Sequence, residues 1–395
     1  MKSNYRRLGD YIKELKVRNT EEKAEQLLGI NIDKFFMPSV ANVVGTDLSV
    51  YKLVRKNQFA CNRMHVGRDY RLPISISTSD EDFIVSPAYD VFEIKDTKVL
   101  NPEFLMMWFS RKEFDRNAWF YTDADVRGGL PWKSFCDMQL PIPDPDKQRE
   151  IVKEYNTIQN RIKLNEQLIQ KLEETAQAIY REWFVEFEFP DKNGKPYKSH
   201  GGEMVWNEEL GKEIPKGWKL KSLKSISKIT MGQSPEGETY NEAGVGVPLV
   251  NGPVEFGEYF TIKTKWTTDP KKYCKKDDLI FCVRGSTVGK YVIADGKYSI
   301  GRGVCAINSI HPFFLVQLIK FNLSYIVKDV TGSTFPNIDR ITLEEYHIIL
   351  GDDELPQAFE HRLNPLDKFI KAKQKENLKL SELKDLLLSK LATIE

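Results

Sequence analysis

The 395-residue chain has only five cysteines, and Cys61, Cys136, Cys274, Cys282 and Cys305 form no CxxC pair. An odd, scattered set excludes a disulfide framework or a zinc ribbon and fits a reducing, cytoplasmic setting. No apolar run reaches the length of a membrane span. The opening MKSNYRRLGDYIKEL lacks the apolar core and small-residue cleavage site of a secretion signal, so secretion is not expected. His65, His200, His311, His347 and His361 show no ligand spacing, so no metal site is expected. Charge of one sign is also missing. There are 58 Lys and Arg against 57 Asp and Glu, a net charge of +1, whereas a nucleic-acid binder usually carries a basic excess.

The local distribution differs from the total. Between Leu48 and Ser79 stand Lys52, Arg55, Lys56, Arg63, Arg68 and Arg71 against the single acid Asp69. Between Ile214 and Pro235 stand Lys216, Lys219, Lys221, Lys224 and Lys228 with no acid. Carboxylates gather elsewhere, from Glu203 to Glu213 and Asp352 to Glu354.

Signals for catalysis are weak. An adenine methyltransferase needs an Asn or acid followed by Pro-Pro and an aromatic. Asn101-Pro102-Glu103-Phe104 and Ser86-Pro87-Ala88-Tyr89 lack the second proline. Gly244-Val245-Gly246 has no βαβ setting. Asp82 or Asp90 with Glu93-Ile94-Lys95 approaches a magnesium-nuclease cluster, but its repeat partner, Val304 to Asn308, holds no carboxylate. The chain is therefore read as non-enzymatic, with no cofactor of its own.

An internal duplication decides the architecture. Ile151, Tyr155, Ile158, Ile162, Asn165, Ile169, Leu172, Ala176, Ile179 and Trp183 advance by alternating fours and threes, a heptad seam with one polar position. Phe359, Leu363, Leu366, Ile370, Leu380, Leu387 and Leu391 form a second seam, interrupted by Lys373, Asn377 and Lys384. The parts before the helices repeat too. Leu8 and Ile12 match Leu223 and Ile226. Lys56-Asn57-Gln58-Phe59 matches Lys276-Asp277-Asp278-Leu279, and Val66-Gly67 is set against Val288-Gly289. Asn101 to Leu105 matches His311 to Leu315, each opening an amphipathic helix. A Gly-then-Pro element follows, Gly128 to Pro131 and Gly332 to Pro336. Met138 to Ile142 and Tyr346 to Leu350 then lead into the long helices. Each half reads as a loop-rich α+β domain, with Pro190 to Gly217 as a linker.

Over essentially its whole length this order resembles the specificity subunit of type I restriction-modification enzymes. The residues that carry the resemblance are Val54 to Arg68, Met231-Gly232-Gln233-Ser234-Pro235 with Val247-Pro248 and Asn251-Gly252, and helical segments of which the first ends in Glu182-Trp183-Phe184. It implies two tandem α/β target-recognition domains, 1–143 and 218–352, followed by long spacer helices at 144–189 and 353–395 with a linker at 190–217. The helices would pair as an antiparallel coiled coil. Each domain would read one part of a two-part asymmetric sequence in double-stranded DNA, and the helix pair would set the gap. Implied partners are two methyltransferase subunits and restriction/translocase subunits. S-adenosylmethionine, ATP and magnesium would reside on those partners.

Base reading needs bidentate donors, and phosphate contacts need cations, hydroxyls and free N–H groups. On that basis Lys56, Asn62, Arg63, His65, Arg68 and Arg71 are DNA-binding candidates in the first half. In the second they are Gln233, Ser234, Asn251, Arg284, Ser286, Thr287 and Lys290. Candidate subunit-binding residues are Ile158, Ile162, Ile169, Leu172, Trp183, Phe184, Leu366, Ile370, Leu380 and Leu387. Two other readings remain: a coiled-coil scaffold or dimerisation protein without DNA specificity, with Asn165 and Asn377 setting register, and a stand-alone metal-dependent nuclease.

Overall fold

The structure, a computed structural model, describes residues 4–21, 23–39, 45–64, 66–122, 128–328 and 336–394. It divides into two units, Met1–Leu164 with Asn377–Glu395, and Asn165–Glu376.

The duplication is visible strand by strand. In the first unit Ile12–Leu15, Asp90–Ile94, Phe59–Cys61 and Ile74–Ile76 lie side by side in that order, every pair antiparallel. In the second, Lys228–Met231, Val304–Asn308, Leu279–Cys282 and Tyr291–Ile293 repeat the arrangement. Their central strands are short apolar runs because both faces are covered, and the pleat sends alternate residues into different cores. Phe59 and Cys61 enter one cluster with Phe92, while Ala60 joins Val54 and Val91 in another. Leu279 and Phe281 separate from Ile280 and Cys282 in the same way.

The turn before each central strand repeats down to its hydrogen bonds. Asn57 and Asp277 both have positive φ, +64° and +68°. Their amides donate to Ser77 and Ala294 carbonyls, each at 2.8 Å. Gln58 donates to the Glu93 carboxylate at 3.2 Å, and Asn308 donates to the Asp278 carboxylate at 2.6 Å. One amide–carboxylate bond is thus kept with its two roles exchanged between strands.

The halves differ in what they add to this sheet. The first carries the strand pairs Leu28–Ile30 with Phe36–Pro38 and Lys52–Val54 with Phe83–Val85. The second carries a five-stranded sheet ordered Tyr240–Asn241, Trp266–Thr267, Val247–Val250, Tyr298–Ile300, Tyr273–Cys274. The stretch expected as a plain linker contains an antiparallel hairpin, Met204–Asn207 with Lys212–Pro215, turned by Gly211 at φ +59°.

The heptad segments form two long helices, Pro145–Phe184 and Glu354–Lys390. In the first unit Ile151 and Val152 share a core with Leu388 and Leu391. In the second, Trp183 and Phe184 meet Phe359 with ring centroids 5.7 and 5.5 Å apart. The start of one helix thus packs with the end of the other, and the end with the start, so the pair is antiparallel. The polar seam residues Asn165 and Asn377 are buried.

Candidate nucleic-acid interface

In each repeat the central strand runs straight into a loop that a later segment clasps. The Leu130 amide donates to the Arg63 carbonyl (2.9 Å) and the Gly67 amide to Gly128 (2.8 Å). The Ile338 amide donates to Val283 and the Gly285 amide to Pro336, both at 2.9 Å. Gly67 and Gly128 cross so closely that a Cβ on Gly67 would lie 2.7 Å from the Gly128 Cα, which only glycine tolerates. The clasp also corrects the alignment: the counterpart of Gly67 is Gly285, not Gly289, and that of Gly128 is Pro336. Gly332 lies outside the described residues.

The first loop is built around a part-buried ion pair. Arg63 Nε sits 2.6 Å from Asp90, with side chains 19% and 14% exposed. The same guanidinium donates to the Leu130 carbonyl and lies 5.5 Å over the Trp132 ring. Arg63 therefore holds the loop rather than reaching outward from it. Asn62 is half-buried, its Oδ1 accepting from the Met64 amide at 3.2 Å. The outward cations all have carboxylate partners: Arg68 forks onto Asp69 (2.6 and 2.9 Å), Arg71 reaches Asp33 (2.8 Å) and Lys56 meets Asp80. His65 lies outside the described residues.

The second loop is held differently. Its positions equivalent to Arg63 and Asp90 are Val283 and Cys305, both fully buried in the same apolar cluster. Arg284, Ser286 and Lys290 are exposed, and Thr287 is half-buried. Around them converge Gln233, whose amide donates to Ile300 (2.9 Å), Ser234, whose hydroxyl accepts from the Arg302 amide (3.2 Å), and Asn251. The Asn251 and Gly252 amides donate to Glu255, a carboxylate only 2% exposed. The Val283 amide closes the group by donating to Gly303 at 3.0 Å. Gln233, Ser234, Asn251 and Arg284 are thus brought to one place, with Ser286, Thr287 and Lys290 along the same loop. Sequence reading missed Gly301-Arg302-Gly303 at its centre; an Arg between two glycines after a strand was the available signal.

Burial keeps the thiols of the second unit's sheets in their neutral form. Burial pushes the Cys282 thiol up to about 11 and that of Cys274 to about 12. The carboxylates of the nuclease-like string are engaged separately, Asp82 with Arg55, Asp90 with Arg63 and Glu93 with Gln58, while Lys95 donates to the Gly9 and Asp10 carbonyls. Among the described residues no three His, Cys, Asp or Glu side chains are grouped to hold a metal ion. No described helix is long and apolar enough to cross a membrane.

The seam residues expected to bind another subunit are largely used within the chain. Ile162, Ile169, Trp183, Phe184 and Ile370 are buried, and Ile158, Leu172, Leu366, Leu380 and Leu387 partly so. Trp183 and Phe184, named above as subunit-binding candidates, are both 5% exposed and packed on Phe359. The apolar side chains that do face outward on the long helices are Leu164, Phe369, Leu378, Leu383 and Leu386.

Residues 215–382 match the family described as type I restriction modification DNA specificity domain. The chain is similar, at 30% identity over 65% of its length, to a putative type I restriction enzyme MjaX specificity subunit of Methanocaldococcus jannaschii. It is 30% identical over 68% of its length to the MjaIX specificity subunit of the same organism. The chain spans 59% and 64% of the lengths of these two relatives. The HindI specificity subunit of Haemophilus influenzae is 22% identical over 91% of both chains. A solved type I restriction-modification S subunit from M. genitalium shares the fold, with a TM-score of 0.55 at 14% identity over 98% of this chain and 95% of that one.

Proposed function

The chain belongs to the family of type I restriction enzyme specificity subunits, and from that premise we propose that it is the non-catalytic component that reads a bipartite, asymmetric DNA target. The observation that carries this reading is the pair of clasped loops, built on one sheet topology and furnished with different side chains. Two unlike readers in one chain suit two unlike half-sites, whereas a symmetric dimer reads a palindrome. The paired helices fix the gap between the half-sites. They also scaffold two methyltransferase subunits, which restriction/translocase subunits join in the cytoplasm. S-adenosylmethionine, ATP and magnesium belong to those partners.

Burial of the seam redirects the docking surface. A methyltransferase subunit would meet the outward residues Leu164, Leu378, Leu383 and Leu386 of the first unit rather than Trp183 or Phe184. The same burial weakens the dimerisation-scaffold reading, because the seam such a scaffold needs is already filled. Selection from a pool of randomised double-stranded oligonucleotides by the full chain, co-purified with its methyltransferase subunits, tests the function. Enrichment of a two-part motif with a fixed gap is expected; a palindrome, or no enriched motif, would contradict it.

A further inference from the structure

Gly301-Arg302-Gly303 joins strand Tyr298–Ile300 of the five-stranded sheet to strand Val304–Asn308 of the four-stranded one. Three other segments hold this corner through the backbone. The Gly301 amide donates to Val250 (2.8 Å), the Val283 amide donates to Gly303 (3.0 Å), and the Gly232 amide donates to Val304 (3.0 Å). Both flanking positions are tight, Gly303 against backbone and Gly301 against a side chain that would have to move. A Cβ on Gly301 would lie 1.6 Å from Asn251 Oδ1, and one on Gly303 would lie 2.3 Å from the Asn251 carbonyl oxygen. The Asn251 backbone amide is itself held by the buried Glu255 carboxylate. The result is a rigid mount from which one long side chain, that of Arg302, projects into solvent.

That guanidinium differs from the arginines of the first loop. Arg63, Arg68 and Arg71 each have a carboxylate partner. The Arg302 side chain has no hydrogen bond or ion pair among the described residues; only its backbone amide is engaged, by Ser234. An exposed arginine on a mobile loop would be ordinary solvated surface. Here the backbone is held on both sides, which is how a reader is kept in register with a base edge. The planar fork of arginine matches guanine O6 and N7, and exposed Gln233 and Arg284 flank it.

We propose that Arg302 reads a guanine in the half-site of the second domain. This rests on the DNA-reading function proposed above. Alignment of the repeats through Glu93 and Asn308 places Pro87 at the equivalent position of the first half, so the contact would be private to one half-site.

The test compares the parent with Arg302→Ala and Arg302→Lys, each as the full chain with its methyltransferase subunits, in the randomised-duplex selection. Competition titrations at two salt concentrations follow, and thermal melting matching the parent establishes that the variants are folded. Arg302→Ala is expected to relax one guanine of one half-site, with discrimination there falling roughly ten- to hundredfold, and to leave the other half-site unchanged. Arg302→Lys keeps the charge without the fork and should not restore the preference. Uniform weakening on all sequences with a shallower salt dependence would make Arg302 a phosphate contact and overturn the proposal. An unchanged motif would overturn it as well. If the parent itself selects no motif, the DNA-reading function fails first and takes this assignment with it.

Discussion

The two clasped loops share one scaffold and rest on opposite chemistry. In the first, Arg63 and Asp90 form a part-buried ion pair beneath the clasp; in the second, buried Val283 and Cys305 fill the same positions. The clasp bonds are the same in both, so the fold requires a filled position there and not a charge. A second contrast lies above it. The outward cations of the first loop are neutralised by Asp69, Asp33 and Asp80, whereas Arg284, Lys290 and Arg302 have no ion pair among the described residues. On the proposed DNA-reading function, the first loop would exchange carboxylates for phosphates on binding, while the second has no ion pair to give up among the described residues. Near-neutral total charge therefore conceals one poised basic surface.

The largest expected effect breaks the first contrast. Arg63→Ala leaves the part-buried Asp90 carboxylate without its partner and should cost about 1–3 kcal/mol in chemical denaturation. The double variant Arg63→Val with Asp90→Cys copies the second loop and should recover most of that loss. A double variant as unstable as the single one would show that the charge pair is required after all. Next in size is the helix that follows each sheet. Asn101 caps its own helix through the Glu103 and Phe104 amides, while Glu360, from the long helix, accepts from the Phe313 and Phe314 amides. Asn101→Ala should cost about 1 kcal/mol.

Smaller still are changes to the outward cations. Arg68→Ala should leave the chemical denaturation midpoint essentially where it is in the parent, because its pair with Asp69 is exposed. On DNA the same set sharpens the second contrast. Lys290→Ala should flatten the logarithmic salt dependence of binding by about 0.9 if Lys290 neutralises one phosphate. Arg68→Ala should change it less, since part of its charge is already satisfied. Equal slopes for the two variants would remove the distinction between a paired and a bare loop.

Much of this was legible in the sequence because duplication repeats its own punctuation. Matching Lys56–Phe59 with Lys276–Leu279 holds down to the positive φ of Asn57 and Asp277. Heptad spacing gave both long helices. Spacing could not say what covers a seam, so Trp183 and Phe184 looked available when Phe359 already covers them. Nor could it separate Gly285 from Gly289 as the partner of Gly67, since only the clasp with Pro336 distinguishes them. Arg63 looked like a reader because Asp90 is remote in sequence, and Arg302 was missed because its mount is assembled from four separate segments.

The central claim is that each repeat reads its own half-site. The most direct measurement exchanges residues before Pro143 for the corresponding domain of a relative with a different target and maps the enriched duplex motif of the resulting complex. A change confined to one half-site, with the other half-site and the gap retained, is the result expected. Simultaneous change in both half-sites would mean that recognition is shared across the repeats, and would contradict the two-reader account.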